Sequence, residues 1–231
     1  MLPDFVEEAV RQLCTARRGP GCGNPPARSG DWRLEGRRVS SAAAAFCAPI
    51  YASMMRPSPA TYNGAELRLI GIEAELAFRV DRDLPPRVAP YDRAEVVAGA
   101  TLHPAIEVVD SRYADFRSLG RASILADNFS NGGLVYGAAV QNWEALDLGG
   151  TAIMLTEDRE PFADSSGGTA RDPLGALVEF ANLMVERGGV TAGTMVTTGS
   201  WTGMVFTRRG AYLIADFGPL GRVAVSFPAD E

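Results

Sequence analysis

The sequence predicts an α+β fold that is rich in β-structure, and three patterns indicate it. Residues 70–80 alternate between apolar and other side chains, which is the period-2 pattern of a half-buried strand. A helix is predicted from Pro173 to Gly188, because its apolar residues recur with a 3.6-residue period. Strand-like runs separated by glycine-containing turns predict an antiparallel meander over 194–198, 203–207, 211–217 and 222–227.

Two further helices are predicted in the first half of the chain. Residues 3–16 have an amphipathic pattern with apolar side chains on one side. Asp92 and Glu95 have the spacing of a capping box, which predicts a short helix that ends at Ala100 and leads into a strand.

The composition is that of one domain. With 231 residues, 46% of them hydrophobic, the chain can bury a complete core. We expect residues 1–64 to form a helix and loop region, and residues 65–231 to form the core that carries the chemistry. The acidic amino terminus and the lack of a long apolar run predict a cytoplasmic chain without a leader or a membrane span.

The charged and sulfur-containing residues exclude several functions. With a formal net charge of −6 and scattered basic residues, nucleic acid is not an expected partner. All 22 basic residues are arginine, which excludes chemistry that needs a lysine amine, such as Schiff-base catalysis or P-loop nucleotide hydrolysis. Cys14, Cys22 and Cys47 lack the paired spacing of a zinc site, and an odd number of cysteines argues against a disulfide framework.

Three glutamates outline a candidate metal site. Glu73 and Glu75 lie in the alternating run, so both point to one strand face, about 7 Å apart. A second strand that brings Glu107 to the same place would complete an all-oxygen set, which hard cations such as Mg²⁺ or Mn²⁺ accept. For the Glu-x-Glu pair alone, a solvated strand face is the alternative interpretation.

Four runs give the sequence a family resemblance. They are Gly71-Ile-Glu-Ala-Glu-Leu-Ala-Phe78, Pro104-Ala-Ile-Glu-Val-Val-Asp-Ser-Arg112, Ala126-Asp-Asn-Phe-Ser130 and Asp216-Phe-Gly-Pro-Leu-Gly221. Their order and spacing are similar to those of the 2-keto-4-pentenoate hydratases. The chain therefore resembles the hydratase and 4-oxalocrotonate decarboxylase branch of the fumarylacetoacetate hydrolase superfamily. This resemblance implies a mixed β-roll or barrel with flanking helices.

The resemblance also implies a set of site residues. Glu73, Glu75 and Glu107 would hold Mg²⁺ or Mn²⁺, and the metal would chelate the 1-carboxylate and 2-keto oxygen of a 2-oxo acid. The matching positions that would bind substrate are Asn128, Ser130 and Ser200.

The amino-terminal region departs from the family pattern. The hydratases have a lysine in a Gly-x-Lys-Ile-Gly run, and the local match here is Gly36-Arg-Arg-Val39, with Arg38 in the lysine's place. A guanidinium keeps its proton, so Arg38 can clamp a carboxylate or stabilise an enolate but cannot act as a base. A surface arginine without a role is the alternative interpretation.

Two polar residues near Glu107 are not expected to take part directly in the chemistry: His103 is predicted to be structural or solvent-exposed, and Asp110 is predicted to have a supporting role. His103, the single histidine, lies about 13 Å from Glu107 along an extended chain, which is too far for a direct proton transfer at the metal. Asp110 falls on the opposite strand face from Glu107, so we expect it to pair with Arg112.

The predicted function is a divalent-metal-dependent hydratase acting on a short 2-oxo or 2-hydroxydienoic acid through a stabilised enolate. Decarboxylation of an oxalocrotonate-like acid and hydrolysis of an acylpyruvate share the first half of that reaction and stay open. A non-catalytic homologue that binds metal and ligand, or stabilises a decarboxylase partner, is the alternative of a different class. We expect a homo-oligomer in each case.

Overall fold

The computed structural model describes residues 31–35, 46–165 and 172–229. The predicted helix over 3–16, Cys14, Cys22 and Arg38 lie outside the described residues. The division of the chain at residue 64 therefore stays a prediction. In the described part, Cys47 is a free thiol, and no helix is long and apolar enough to cross a bilayer.

The described part contains thirteen strands and three α-helices. The strands are β1 (Asp31–Glu35), β2 (Phe46–Ile50), β3 (Met55–Pro57), β4 (Ala60–Thr61), β5 (Gly71–Val80), β6 (Ala100–Val109), β7 (Asn131–Tyr136), β8 (Met154–Glu157), β9 (Glu160–Asp164), β10 (Met195–Ser200), β11 (Val205–Phe206), β12 (Tyr212–Asp216) and β13 (Arg222–Ser226). The helices are α1 (Arg93–Val97), α2 (Arg121–Ala126) and α3 (Pro173–Val185).

The strands form two mixed sheets. The larger has the order β2-β1-β10-β5-β6-β7-β3, with β11 also paired to β5, and the smaller has the order β4-β13-β12-β8-β9. Most pairs are antiparallel, while β1–β10, β3–β7 and β4–β13 are parallel. The predicted β-rich α+β class is confirmed. Neither described sheet closes into a barrel, because β2 and β3 stay at opposite edges of the larger sheet.

The predicted helix signals are also present. Asp92 caps α1, with its side chain accepting from the Glu95 N–H and the Glu95 side chain accepting from the Asp92 N–H. At α3 the Asp172 side chain accepts from the Gly175 N–H, and Pro173 occupies the first turn. The predicted end at Ala100 was too late, because residue 100 already begins β6.

The predicted carboxyl-terminal meander is wrong in its first half. β12 and β13 pair as an antiparallel hairpin, as expected. β10 and β11, however, both pair with β5. Glycine-containing turns indicate where a strand ends, but they do not specify which distant strand that strand pairs with.

β5 is buried on both faces, which corrects the prediction of a half-buried strand. One face packs into the main core together with α3 and the smaller sheet, through side chains that include Ile72, Leu76, Phe78, Phe180 and Val223. The other face carries the glutamates and contributes Ala77 to a smaller buried cluster with Ile50, Ala105, Leu134 and Met195. We call this second face the glutamate face.

Candidate metal centre

The glutamates meet because β5 and β6 pair without interruption. Ten consecutive residue pairs join the two strands, and Glu73 lies directly opposite Glu107. Glu75, two residues from Glu73, points to the same side. One oxygen from each carboxylate can be chosen so that the three atoms lie within 4.8 Å of one another. The sequence-predicted trio is thus brought together.

The register of this pair is determined by the opposite face. Ile72, Ala74 and Leu76 alternate with the glutamates and are fully buried in the main core. A slip by one residue would exchange the two faces, placing carboxylates in the core and apolar side chains at the site. Burial of the apolar face of β5 therefore determines that Glu73 and Glu75 point to the site.

The three carboxylates are almost completely withdrawn from solvent. Glu73 is 8% exposed, Glu75 1% and Glu107 0%. Burying ionised carboxylates this close together is costly unless a positive charge and hydrogen bonds compensate them. An all-oxygen, buried and strongly acidic set suits a small hard cation.

Two neighbours orient these carboxylates. The Gly199 N–H donates to Glu75 Oε2 at 3.2 Å, where β10 bulges and Gly199 adopts a φ of 96°. The Asn131 side-chain Nδ2 donates to Glu107 Oε1 at 2.9 Å. The sequence analysis did not identify Asn131. This residue begins β7, which pairs with the Glu107 strand β6, so knowledge of the strand order would have pointed to it.

Arg112 pairs with Asp127, which corrects the predicted Asp110–Arg112 pair. The Arg112 Nε donates to Asp127 Oδ1 at 2.6 Å, and the Asp127 carboxylate is fully buried. Ser111 and Ser130 both donate to Asp127 Oδ2, at 2.6 and 3.2 Å. Asp110 instead accepts from the backbone N–H groups of Arg68 and Leu69, immediately before β5.

Asp127 stabilises an unusual turn next to the site. Asn128, Phe129 and Ser130 all have φ between 54° and 59°, the left-handed region that costs a residue other than glycine roughly 1–2 kcal/mol. The Ser130 carbonyl accepts from the Asp110 N–H at 2.8 Å, so this turn is tied to the end of β6. Asn131 follows this turn directly in the chain.

The predicted substrate-binding residues lie at this turn and on β10. The Asn128 Nδ2 donates to the Pro49 carbonyl at 2.7 Å, and Ser130 donates to Asp127. Ser200 lies opposite Glu75, and its buried hydroxyl has no hydrogen-bond partner in the described part of the chain. A substrate contact by any of the three stays a prediction, as does the role of Arg38.

His103 is a buried residue of β6, so of the two predicted roles the solvent-exposed one is wrong. Its Nδ1 lies 2.9 Å from the Gly137 carbonyl, and its ring meets Tyr136 edge-on. β6 continues straight through Pro104, so His103 keeps its distance of about 13 Å from Glu107. Burial lowers the pKa of His103, while the hydrogen bond to Gly137 opposes that shift.

Two relatives share sequence with most of this chain. A 4-oxalocrotonate decarboxylase from Pseudomonas putida is 32% identical over 160 residues, which are 68% of this chain and 59% of that protein. A 2-keto-4-pentenoate hydratase from Paraburkholderia phymatum is 34% identical over 160 residues, 68% of this chain and 60% of that protein. The chain thus spans about three-fifths of the length of these curated relatives.

The chain belongs to the fumarylacetoacetate hydrolase superfamily. Within it, the two relatives place the chain in the hydratase and decarboxylase branch. A scan against protein-family models gives no match.

Solved structures of this superfamily have the same fold. The 4-oxalocrotonate decarboxylase from Pseudomonas putida G7, complexed with magnesium and adipate, matches with a TM-score of 0.72 at 22% identity, over 96% of this chain and 86% of that one. The fumarylpyruvate hydrolase from Pseudomonas aeruginosa, in complex with Mn²⁺ and pyruvate, matches with a TM-score of 0.62 at 14% identity, over 86% of this chain and 89% of that one.

We predict that the Arg112→Met variant loses about 3 kcal/mol or more of unfolding free energy, because it leaves the buried Asp127 carboxylate without its cation. Urea denaturation measures the loss. The matched control is Arg79→Met, which breaks an exposed pair with Asp81 and should cost less than about 1 kcal/mol. Equal losses in the two variants would contradict the structural role of the Arg112–Asp127 pair.

We predict that the His103 imidazole titrates below its ordinary value of 6.5, because burial disfavours the charged ring. The single histidine can be followed unambiguously by NMR. The unfolded chain binds this proton at a higher pH than the folded chain does. The free energy of unfolding should therefore decrease as the pH falls from 6.5 towards the lower pKa of the folded state. The pH dependence of unfolding in His103→Gln provides the comparison. An imidazole pKa at or above 6.5 would refute the assignment.

Proposed function

We propose that this protein is a divalent-metal-dependent hydratase that acts on a short 2-oxo or 2-hydroxydienoic acid. The observation that carries the proposal is the convergence of carboxylate oxygens of Glu73, Glu75 and Glu107 to within 4.8 Å on one buried face of the β5–β6 pair. These three residues would hold the cation. Magnesium and manganese are the proposed ions, since both accept carboxylate oxygens and leave positions for water or substrate.

The metal and the protein have separate tasks in this proposal. When bound, a divalent cation supplies Lewis-acid polarisation of the 2-keto oxygen, which lowers the cost of removing a C3 proton. Gly199 and Asn131 hold two of the carboxylates in place through hydrogen bonds. The apolar residues beside them, including Leu134 and Ala105, exclude water from that side of the site.

The proton must be moved by a group other than lysine or His103. The chain has no lysine, and His103 is too far along β6 from Glu107. Arg38, in the place of the family lysine, is proposed to bind the substrate as a cation and not to act as a base. Solvent or a carboxylate near the metal would then carry the proton.

A decarboxylase is the second candidate. The sequence likeness to a 4-oxalocrotonate decarboxylase, 32% identical over 160 residues, supports it. Both reactions begin with polarisation of the same 2-keto oxygen, so the same three glutamates serve either one.

A non-catalytic homologue is the third candidate, with the missing lysine as its support. Such a protein would bind metal and ligand without turnover, or would stabilise a decarboxylase partner. A homo-oligomer is proposed for all three candidates on the basis of the family resemblance alone.

We predict that Glu107→Gln loses most of the Mn²⁺ affinity of the wild type, because a neutral amide replaces a charged ligand at the centre of the set. Isothermal titration measures the effect. Glu144→Gln, at an exposed glutamate outside the site, should bind Mn²⁺ like the wild type. Equal Mn²⁺ affinity in wild type and Glu107→Gln would eliminate this metal centre.

We predict that the protein with added Mg²⁺ exchanges the C3 protons of a simple 2-oxo acid in D₂O, followed by NMR. His103→Asn should exchange at a similar rate, since His103 is not the proposed base. Tight metal-dependent binding of oxalate without any exchange would favour the non-catalytic candidate. A hundred-fold slower exchange in His103→Asn, with Mn²⁺ affinity intact, would restore His103 as the base.

A further inference from the structure

The two strands that flank the β5–β6 pair each shift in register beside the glutamates. On β10, the shift lies between Thr197 and Ser200, next to Glu75. On β7, the shift places Gly132 as an additional residue opposite the step from Val108 to Val109. Bulges of this kind redirect the groups that a strand presents, and they are common beside functional sites.

The shift on β7 places Asn131 on the glutamate face. Val109 lies two residues after Glu107 and shares its face, and Asn131 pairs with Val109. Without the additional residue, Asn131 would point to the opposite face, into the main core. Glycine suits this bulge, because a Cβ on Gly132 would lie 2.9 Å from the Asp110 Cβ.

The amide of Asn131 presents its NH₂ group to Glu107. Its Nδ2 lies 2.9 Å from Glu107 Oε1 and 3.5 Å from the Gly133 carbonyl oxygen, and both of these atoms are acceptors. The Arg112 Nη1 donates to the Asn131 carbonyl at 3.0 Å, which holds the backbone at the same point. Asn131 is fully buried, so its contact with Glu107 is not weakened by solvent.

Each bulge therefore holds one oxygen of one glutamate. Glu107 Oε1 accepts from the Asn131 Nδ2, and Glu75 Oε2 accepts from the Gly199 N–H at 3.2 Å. A donor N–H directs its positive end at the oxygen, so it opposes the approach of a cation to that atom. Both carboxylates are thereby set to bind a metal through the other oxygen, one from each.

The number of oxygens that a carboxylate offers distinguishes hard cations. Mg²⁺ requires near-octahedral coordination at about 2.1 Å, whereas Ca²⁺ accepts about six to eight oxygens at longer distances and often takes both oxygens of a carboxylate. A site in which two of three carboxylates are restricted to one oxygen therefore favours the smaller ion.

We propose that Asn131 is a positioning residue that makes the metal centre select Mg²⁺ over Ca²⁺, by holding Glu107 to one ligating oxygen. This inference rests on the proposed function, because that function places the cation at the three glutamates. For Ca²⁺ to use both oxygens of Glu107, the contact with Asn131 must break. Loss of a hydrogen bond to a charged group corresponds to about ten-fold in affinity or more.

Competition for Mn²⁺ measures this selectivity. Free Mn²⁺ is followed by electron paramagnetic resonance while Mg²⁺ or Ca²⁺ displaces the bound ion from the full chain. The ratio of the Ca²⁺ to the Mg²⁺ dissociation constant is then compared between variants. A merely structural Asn131 would weaken the binding of both ions in proportion when replaced, and would leave this ratio unchanged.

Two variants remove the donor, and one serves as the control. Asn131→Ala should lower the ratio by about ten-fold, because Glu107 can then offer both oxygens to Ca²⁺. Asn131→Asp keeps the shape of the side chain but replaces the donor with an acceptor, and it should lower the ratio even if the alanine variant does not fold. Asn63→Ala removes an exposed hydrogen bond to Glu66 outside the site and should keep the wild-type ratio.

The outcomes separate this inference from the proposed function. An unchanged ratio in the Asn131 variants, with Mn²⁺ still bound, would overturn the inference alone. So would a wild-type protein that binds Ca²⁺ as tightly as Mg²⁺. Wild-type protein that binds none of the three ions would overturn both the inference and the proposed function.

Discussion

The pairing of β5 with β6 is the interaction on which the rest of the structure depends. Its ten consecutive residue pairs join the two strands that carry all three glutamates. The same pairing places five alternate side chains of β5 in the main core, so packing energy and site geometry are coupled through one register. On either side, β10 and β7 add the residues that orient the carboxylates.

Much of this centre could be predicted from the sequence, because period-2 alternation determines which side chains share a face. The alternation located Glu73 and Glu75, and the family resemblance added Glu107. Burial on both faces could not be predicted, since the pattern within one strand says nothing about what covers its polar side. The pairing of β10 and β11 with β5 was equally hidden, because long-range strand order leaves no local signal in the turns.

The support around the glutamates was the least predictable part. Asp127 accepts hydrogen bonds from Arg112, Ser111 and Ser130, although its sequence context indicated only a turn. None of the three consecutive left-handed residues, Asn128, Phe129 and Ser130, is a glycine, so the residue types do not indicate this conformation. Such backbone persists only where surrounding contacts over-determine it, and the buried ion pair with its serine donors provides those contacts.

The double burial of β5 has a consequence for how this strand tolerates change. Nine of its ten residues are buried, and Arg79 is the exception. On one side, a substitution alters core volume; on the other, it alters the lining of the acidic centre. Arg79 projects outwards from the same strand and is separated from Glu75 by only three intervening residues. It is therefore the natural attachment point for a spectroscopic label that reports on the centre without entering it.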